Sequence, residues 1–496
     1  MQDSDASRPG AGEASRARPR AAGALGCALA GLALGGVAAS GAYLSAKQVV
    51  AGKDAEQRAV LEALAAEGLG ADDAELFGAP SPAADLQSLR VAFSLVQGLS
   101  LDCKSALELH RGEAEDPPTG TWRPDARQRQ MLTDPEQWRQ GTRDALQALV
   151  PLDAALDPVL AGGHPIHFDL DRSRGLSLDL SHVMQIRELV QVLCGRALQR
   201  ARSGQAEAGW LDLTRAVELL SRWDEPYLLS YFLRVASFDH VADALQRLLR
   251  RAPPGAALAA RLEQALSATE QPDELARVFR AELSIAIASF PTDAQAPMQT
   301  MEQLLVPGDP ALVAYRLPLW GRVAYAGARL DYVELMAEAV RAARLPAQQA
   351  RRALEALSAR AQQGERGPLA ENLVPALNHG LARSLFHRGR LRLLRTALRL
   401  ATDAGAGDLP DELPDPLLGD PTALGAAPLR WARSAPRRGR LWCVGDDGLD
   451  DGGLTPAELT ARGGAAGAAP PLVTGTALQR GDIVIEVQLA PASPPR

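Results

Sequence analysis

Near the C-terminal end of the chain, Asp446, Asp447, Asp450 and Asp451 crowd into six residues, with Gly445, Gly448, Gly452 and Gly453 before, between and after them. Calcium takes six to eight oxygens from carboxylates and backbone carbonyls. Glycine allows the tight turns that bring carbonyls inward. Asp482, at the head of the last apolar run, is placed to close such a shell, and Asp447 and Asp482 are the leading ligands. The spacing does not match an EF-hand. An Asp-Gly turn between two strands accounts for the same residues without an ion, so composition alone leaves both readings open.

A second set is His164, His167, Asp169 and Asp171 in the run His164-Pro-Ile-His-Phe-Asp-Leu-Asp171. Alternating Ile166, Phe168 and Leu170 read as a short extended segment. In a strand, His167, Asp169 and Asp171 would share one face, the geometry of a transition-metal site in a metal-dependent hydrolase. No second imidazole at helical spacing supports it, and the simpler reading is the polar face of a solvent-exposed segment. The chain has no Gly-rich phosphate loop, His-Glu-x-x-His motif, Gly-x-Ser-x-Gly elbow or paired catalytic carboxylates. Of its four cysteines, Cys103, Cys194 and Cys443 lie far apart in the body of the chain and read as buried small apolar residues.

The elements that carry these residues are mostly helical. Ala, Leu and Arg abound, and aromatics make up 4% of the chain, which favours helices over a β-sandwich. Helical spacing predicts a helix from 47 into the 60s (Val60, Leu61, Leu64), one from Leu86 to Leu109, and one opened by Asp134-Pro135 and running to about Leu160. Ser181 reads as the N-cap of a helix with Ile186, Leu189, Val190, Leu193, Ala197 and Ala201 on one face. After Gly204-Gln205 a second amphipathic helix carries Trp210, Leu213, Val217 and Leu220. This pair resembles one tetratricopeptide-type hairpin: Ala197, Gly204, Gly209, Leu213 and Ala216 fall where that repeat wants small residues, a turn and a large apolar residue. Arg196, Arg200 and Ser221 depart from the pattern, and no 34-residue period is sustained.

Further helices are expected at 227–251, 256–267 and 273–290, the last with Arg277, Arg280 and Glu282 as partners a turn apart. Others are expected at 311–343, from Pro346 to about Gln363, and from Pro368 to near Thr402. The tyrosine and phenylalanine stripe from Tyr227 to Phe238 reads as core. The fold class is therefore mainly α, an α-solenoid or irregular helical bundle. It ends in a small antiparallel β module packed on the last long helix, with strands at Leu429–Trp431, Arg440–Val444 and Asp482–Val487.

At the other end, the run from Ala21 to Ala46 carries no charged residue, and about 20 apolar residues span a bilayer. Arg8, Arg16, Arg18 and Arg20 precede it, so the positive-inside rule puts the N-terminus in the cytoplasm and the bulk of the chain outside. The division expected is a cytoplasmic disordered arm at 1–20, a transmembrane anchor at 21–46, juxtamembrane helices and a loop at 47–125, a helical domain at 126–379, and the long helix with its β module at 380–496. A cleaved signal peptide is the rival reading, although its apolar core is normally shorter. Net charge is −7, from 53 basic and 60 acidic residues mixed along the chain. With no basic stripe, nucleic acid is not expected as a partner.

The order of landmarks near the end carries a resemblance. A long helix is followed by Leu409-Pro410 with Glu412-Leu413, then Asp420-Pro421 and Gly425, Pro428-Leu-Arg-Trp431, Val444-Gly-Asp-Asp-Gly448 and Gly481-Asp-Ile483. This resembles the C-terminal half of the type II secretion major pseudopilin, over about the last 115 residues. The resemblance implies a helix packed on a small antiparallel sheet, with an Asp-rich loop that binds calcium. The whole chain more loosely resembles uncharacterised planctomycete-type membrane proteins. The anchor lacks the prepilin cleavage site and early glutamate of a pilin subunit, so a module is implied and not a filament.

Taken together, these features predict a single-pass inner-membrane, extracytoplasmic interaction or scaffold protein. It is expected to be non-catalytic, to bind protein partners in the cell envelope near secretion machinery, and to carry a calcium-stabilised C-terminal module. The alternatives are an extracytoplasmic metal-dependent hydrolase built on His164, His167 and Asp169, and a soluble periplasmic binding protein released by signal cleavage.

Overall fold

The computed structural model describes residues 20–70, 73–108, 126–172, 178–271, 273–289, 320–363, 365, 368–405, 407–413, 419–421, 427–444, 450–455, 458 and 482–490. Over these residues the chain is mainly helical, with a single three-stranded antiparallel sheet near its C-terminal end.

The first helix, α1 (Arg20–Ala66), is continuous for 47 residues, about 70 Å at 1.5 Å per residue. The side chains of residues 20–41 lie outside the described residues, so the apolar run is described as backbone only up to residue 41. Among the described residues no helix is long and apolar enough to cross a membrane. The far end of α1 is core: Leu64 is fully buried, and Val60 and Leu61 pack beside it.

Short α2 (Asp73–Phe77) leads to α3 (Ala83–Gln97) and α4 (Leu101–Glu108). The single helix expected from Leu86 to Leu109 is thus two. Gly98 closes the first, its N–H bonding to the Ser94 carbonyl, and Ser100 caps the second, its Oγ accepting the Cys103 N–H at 3.1 Å. That capping competes with helix continuation because the side chain takes a backbone donor the helix would otherwise leave unsatisfied. The expected loop at 113–125 lies outside the described residues.

After α5 (Ala126–Thr133), Asp134 accepts the N–H groups of Glu136 and Gln137 at 3.1 Å each, opening α6 (Pro135–Ala148) as expected. Pro151 then ends the run, and α7 (Leu152–Ala161) restarts beyond it. A proline disfavours the helical conformation at the residue before it and supplies no N–H.

The hairpin of α8 (Ser181–Arg202) and α9 (Ala206–Arg222) forms where the sequence places it. Gly204 turns it with a φ of 82°. At Gly209 a β-carbon would lie 2.5 Å from the Ala197 carbonyl oxygen, so glycine is what lets the two helices meet. The cap differs from expectation. Ser181 is already helical, and Asp179 accepts its N–H at 3.0 Å.

Then follow α10 (Leu228–Arg251), α11 (Ala256–Thr269), α12 (Glu274–Ser289), α13 (Trp320–Ala343), α14 (Ala347–Gln362) and α15 (Pro368–Ala404). The helix and loop expected between 290 and 319 lie outside the described residues. The three cationic or acidic side chains of α12 do not pair along their own helix as expected. Arg277 reaches Asp224, Arg280 reaches Glu75 and the Gly70 carbonyl, and Glu282 accepts the Leu228 N–H. Each satisfies a neighbouring segment whose backbone or charge is removed from water on packing.

The sheet is β1 (Arg430–Ala435), β2 (Arg438–Cys443) and β3 (Ile483–Gln488) in that order, both pairs antiparallel. Ile483, Ile485 and Val487 point inward from alternate positions of β3, the period-2 pattern of a half-buried strand. Together with Leu441 and Cys443 they share one core with residues of α8, α9, α11 and α15, such as Leu193, Leu213, Leu262 and Leu394. A second core joins Leu64 of α1 to α12, α13, α14 and the first half of α15. Helices α10 and α15 run through both, and the sheet rests on these two helices.

Candidate metal centre and buried polar hubs

Asp446 and Asp447 lie outside the described residues. The other three predicted ligands converge at the corner where β2 ends and β3 begins. Asp450 is engaged by protein: its Oδ1 accepts the Trp442 indole N–H at 3.1 Å and the Gly452 N–H at 3.0 Å, and its Oδ2 pairs with Arg430 at 2.6 Å. Burial pushes its carboxyl up, but the Trp442 and Gly452 donors and Arg430 outweigh this and hold it below the usual carboxylate range.

Asp482 is nearly fully buried, at 3% exposure. Its Oδ2 accepts the Gly453 N–H at 2.7 Å, while its own N–H donates to the Leu454 carbonyl at 2.9 Å. These two bonds bolt the Asp-Gly turn to the start of β3. Gly452 and Gly453 have φ of 70° and 75°, the left-handed region that only glycine enters freely. Asp482 Oδ1 and Asp451 Oδ2 are both buried and lack a hydrogen-bond partner among the described residues. Burial, with the charges of Asp450 and Asp451 added, pushes the Asp482 carboxyl up to about 6, against the pull of the Gly453 and Asp451 N–H groups. Buried carboxylate oxygens without donors are costly, and a hard divalent cation is one group that satisfies them. The donor set therefore fits calcium in chemistry. Among the described residues no group of three or more metal-ligating side chains stands ready to hold an ion.

Asp420, which precedes β1 in the chain, also belongs to this corner. It is buried, and its Oδ2 accepts the Val444 N–H at 2.9 Å and pairs with Arg430 at 3.1 Å. Arg430 thereby bridges Asp420 and Asp450, locking the end of β2 to the turn that follows it.

The histidine run takes a different form from the one its alternation implied. Ile166 makes a single parallel bridge to Trp223, and His167 is buried rather than solvent-facing. The His167 N–H donates to Ser81 Oγ at 2.8 Å, and Nε2 lies 3.8 Å from Asp224. His164, Asp169 and Asp171 are exposed, so the structure does not gather the four into one face. Burial lowers the His167 imidazole below its ordinary value, against the opposing pull of Asp224.

The buried polar centres are elsewhere. Glu225 receives His182 Nε2 at 2.8 Å, the Trp223 indole at 3.1 Å and Ser230 Oγ at 3.2 Å on Oε2, and the Phe168 N–H at 3.3 Å on Oε1. It pins the segment after α7 to the start of α10. In the hairpin, Arg196 is fully buried and forks onto Asp212, which is also fully buried, at 2.9 and 2.6 Å. The same guanidinium reaches Asp153 at 2.5 Å and the Leu149 carbonyl at 3.0 Å, while Arg200 and Arg215 complete the cluster. Burial pushes Asp212 up, opposed by Arg196 and Arg200. The only sequence sign of this hub was that Arg196 and Arg200 stood where a helix hairpin wants apolar residues.

Beside it, a cleft of 440 Å³ opens between the segment at 163–165, α9 and α11, with Glu218 and Arg261 paired across it at 2.6 Å. Cys103, Cys194 and Cys443 are buried, as expected. Comparison with protein-family models, with curated proteins and with solved structures finds no match for this chain.

Proposed function

We propose that the chain is a membrane-anchored interaction protein of the cell envelope, with a C-terminal module that calcium stabilises. The observation that carries this reading is the continuity of α1. The helix runs unbroken from Arg20 to Ala66, and its distal half is built into the body by Leu64, by the Asp54–Arg329 pair and, one residue past its end, by Glu67 with Arg341 at 2.6 Å. The uncharged run at 21–46 is thus a direct extension of a structural helix, as an anchor would be. The chemistry for calcium rests on the orphaned oxygens of Asp451 and Asp482. The helical body, the small sheet resting on a long helix, and the pseudopilin-like order of landmarks support a scaffold that binds protein partners near secretion machinery.

Two experiments test this. Full-length protein expressed with its N-terminal segment should float with vesicles and resist extraction by alkaline carbonate; recovery in the soluble fraction overturns the anchor. Crosslinking in cells followed by capture should recover defined envelope proteins; capture of this chain alone overturns the scaffold role.

A further inference from the structure

We infer that Trp320, together with Tyr43 and Leu44, forms a second contact with the bilayer, a belt at headgroup level from which the helical body is suspended. The inference rests on the anchor proposed above and adds to it a residue about 275 positions away in sequence. Helices α1 and α13 run parallel, and their register is given by two ion pairs: Asp54 with Arg329, separated by 275 positions, and Glu67 with Arg341, separated by 274. Carrying the same offsets back to Trp320 gives 320 − 275 = 45 and 320 − 274 = 46. Trp320 is therefore level with Ser45 and Ala46, where the uncharged run ends.

Three further observations meet at that height. Tyr43 and Leu44 are 49% and 59% exposed, and Trp320 is 64% exposed at the very start of α13. Large apolar side chains are otherwise mostly buried in this protein, so their gathering at one level calls for a non-aqueous neighbour. The occupant indicated is the interfacial zone of a bilayer, because tryptophan and tyrosine present an apolar ring and a polar tip that suit that zone. Lys47 and Arg322 are exposed just beyond this level, where ammonium and guanidinium groups meet phosphate headgroups. The height match survives tilting. Packed helices lie roughly 9 Å apart, so a tilt of about 20° shifts relative depth by only about 3 Å.

The test uses the full chain in phosphatidylcholine vesicles whose lipids carry bromine on the acyl chain near the headgroup, with the Trp320→Phe variant alongside. Flotation is read first and tryptophan quenching second. The expected result is flotation of both proteins, with the parent losing an additional share of emission comparable to one tryptophan in seven, and the variant lacking that loss. Flotation with equal quenching of parent and variant overturns the second contact and leaves the anchor standing. Failure of both to float removes the anchor and the inference with it.

Discussion

At the scale of single residues, burial decides which charges matter. Asp482 is pushed to about 6 from an ordinary 3.8, so the folded state holds its proton more tightly than the unfolded chain does. The stability this confers is complete below 3.8, is lost as pH rises through about 6, and stays lost above. In chelator, Asp482→Asn should therefore be the more stable protein at pH 7.5, by about 1 kcal/mol once solvent screening is allowed for. With calcium present the order should reverse, because only the parent gains from binding. Denaturant titration of both proteins, with and without the ion, reads this directly; a parent that gains nothing from calcium removes the metal from the proposal.

His387 has the opposite sign. Full burial, then Arg234, Arg390 and Arg388, push it down to about 3 from 6.5. Its contribution is present above 6.5 and is lost as pH falls from there, when the unfolded chain takes the proton first. His387→Leu should keep a larger fraction of its neutral-pH stability at pH 5 than the parent does, measured by the same titration.

Arg196 supplies a third case. Removing it leaves Asp212, at 0% exposure, with Arg200 at 2.9 Å and Arg215 at 3.6 Å as its remaining cations, so Arg196→Met should cost up to about 3–5 kcal/mol, whereas Arg196→Met with Asp212→Leu should recover much of that loss. Equal destabilisation by the single and double variants would show that packing, not charge, sets the cost.

At the scale of elements, punctuation residues set the architecture more than propensity does. Ser100 divides what helical spacing alone reads as one helix, and its Oγ holds the Cys103 N–H. Ser100→Ala should lower stability by about 1 kcal/mol, the usual worth of an N-cap. The α8–α9 crossing depends on Gly209, where an added β-carbon would meet the Ala197 carbonyl oxygen at 2.5 Å. Backbone cannot yield as a flexible side chain would, so Gly209→Ala should cost at least the about 1–3 kcal/mol typical of overpacking. A thermal midpoint equal to the parent's would mean that the hairpin opens at no cost.

At the scale of the whole molecule, the described residues of the β module share the core of the helical body. Ile485 and Val487 lie in one cluster with Leu193, Leu213 and Leu262, and β3 rests on α10 as well as α15. A calcium effect on the module should therefore be felt by the entire cluster. Full-length protein should show a single unfolding transition that shifts upward with calcium, rather than a small early transition that shifts alone. The pairing of α1 with α13 works similarly at the other end. Through it the N-terminal helix, whatever its surroundings, is mechanically continuous with the second core.

Much of the helical plan was legible beforehand because it depends on local periodicity. The spacing of Ile186, Leu189, Leu193 and Ala197, the turn at Gly204, the proline starts at Pro135 and Pro346, and the alternation of Ile483 and Ile485 are all patterns within a dozen residues. The places where reading failed are those where a competing local bond or a distant neighbour wins: the Ser100 cap, the Pro151 break, and the three charged side chains of α12, which reach across to Gly70, Glu75, Asp224 and Leu228 rather than to one another. By itself the sequence determined helix content, the uncharged N-terminal run, the Asp-Gly turn and the strands around it, since each follows from side-chain chemistry at short range. Only the tertiary structure decided that His167 goes inward while Asp169 stays out, that Arg196 and Asp212 form a buried hub, that Asp451 and Asp482 have oxygens without donors among the described residues, and that Trp320 stands level with the end of the apolar run. Those are matters of burial and register between segments far apart in the chain, and no local pattern encodes the distance between them.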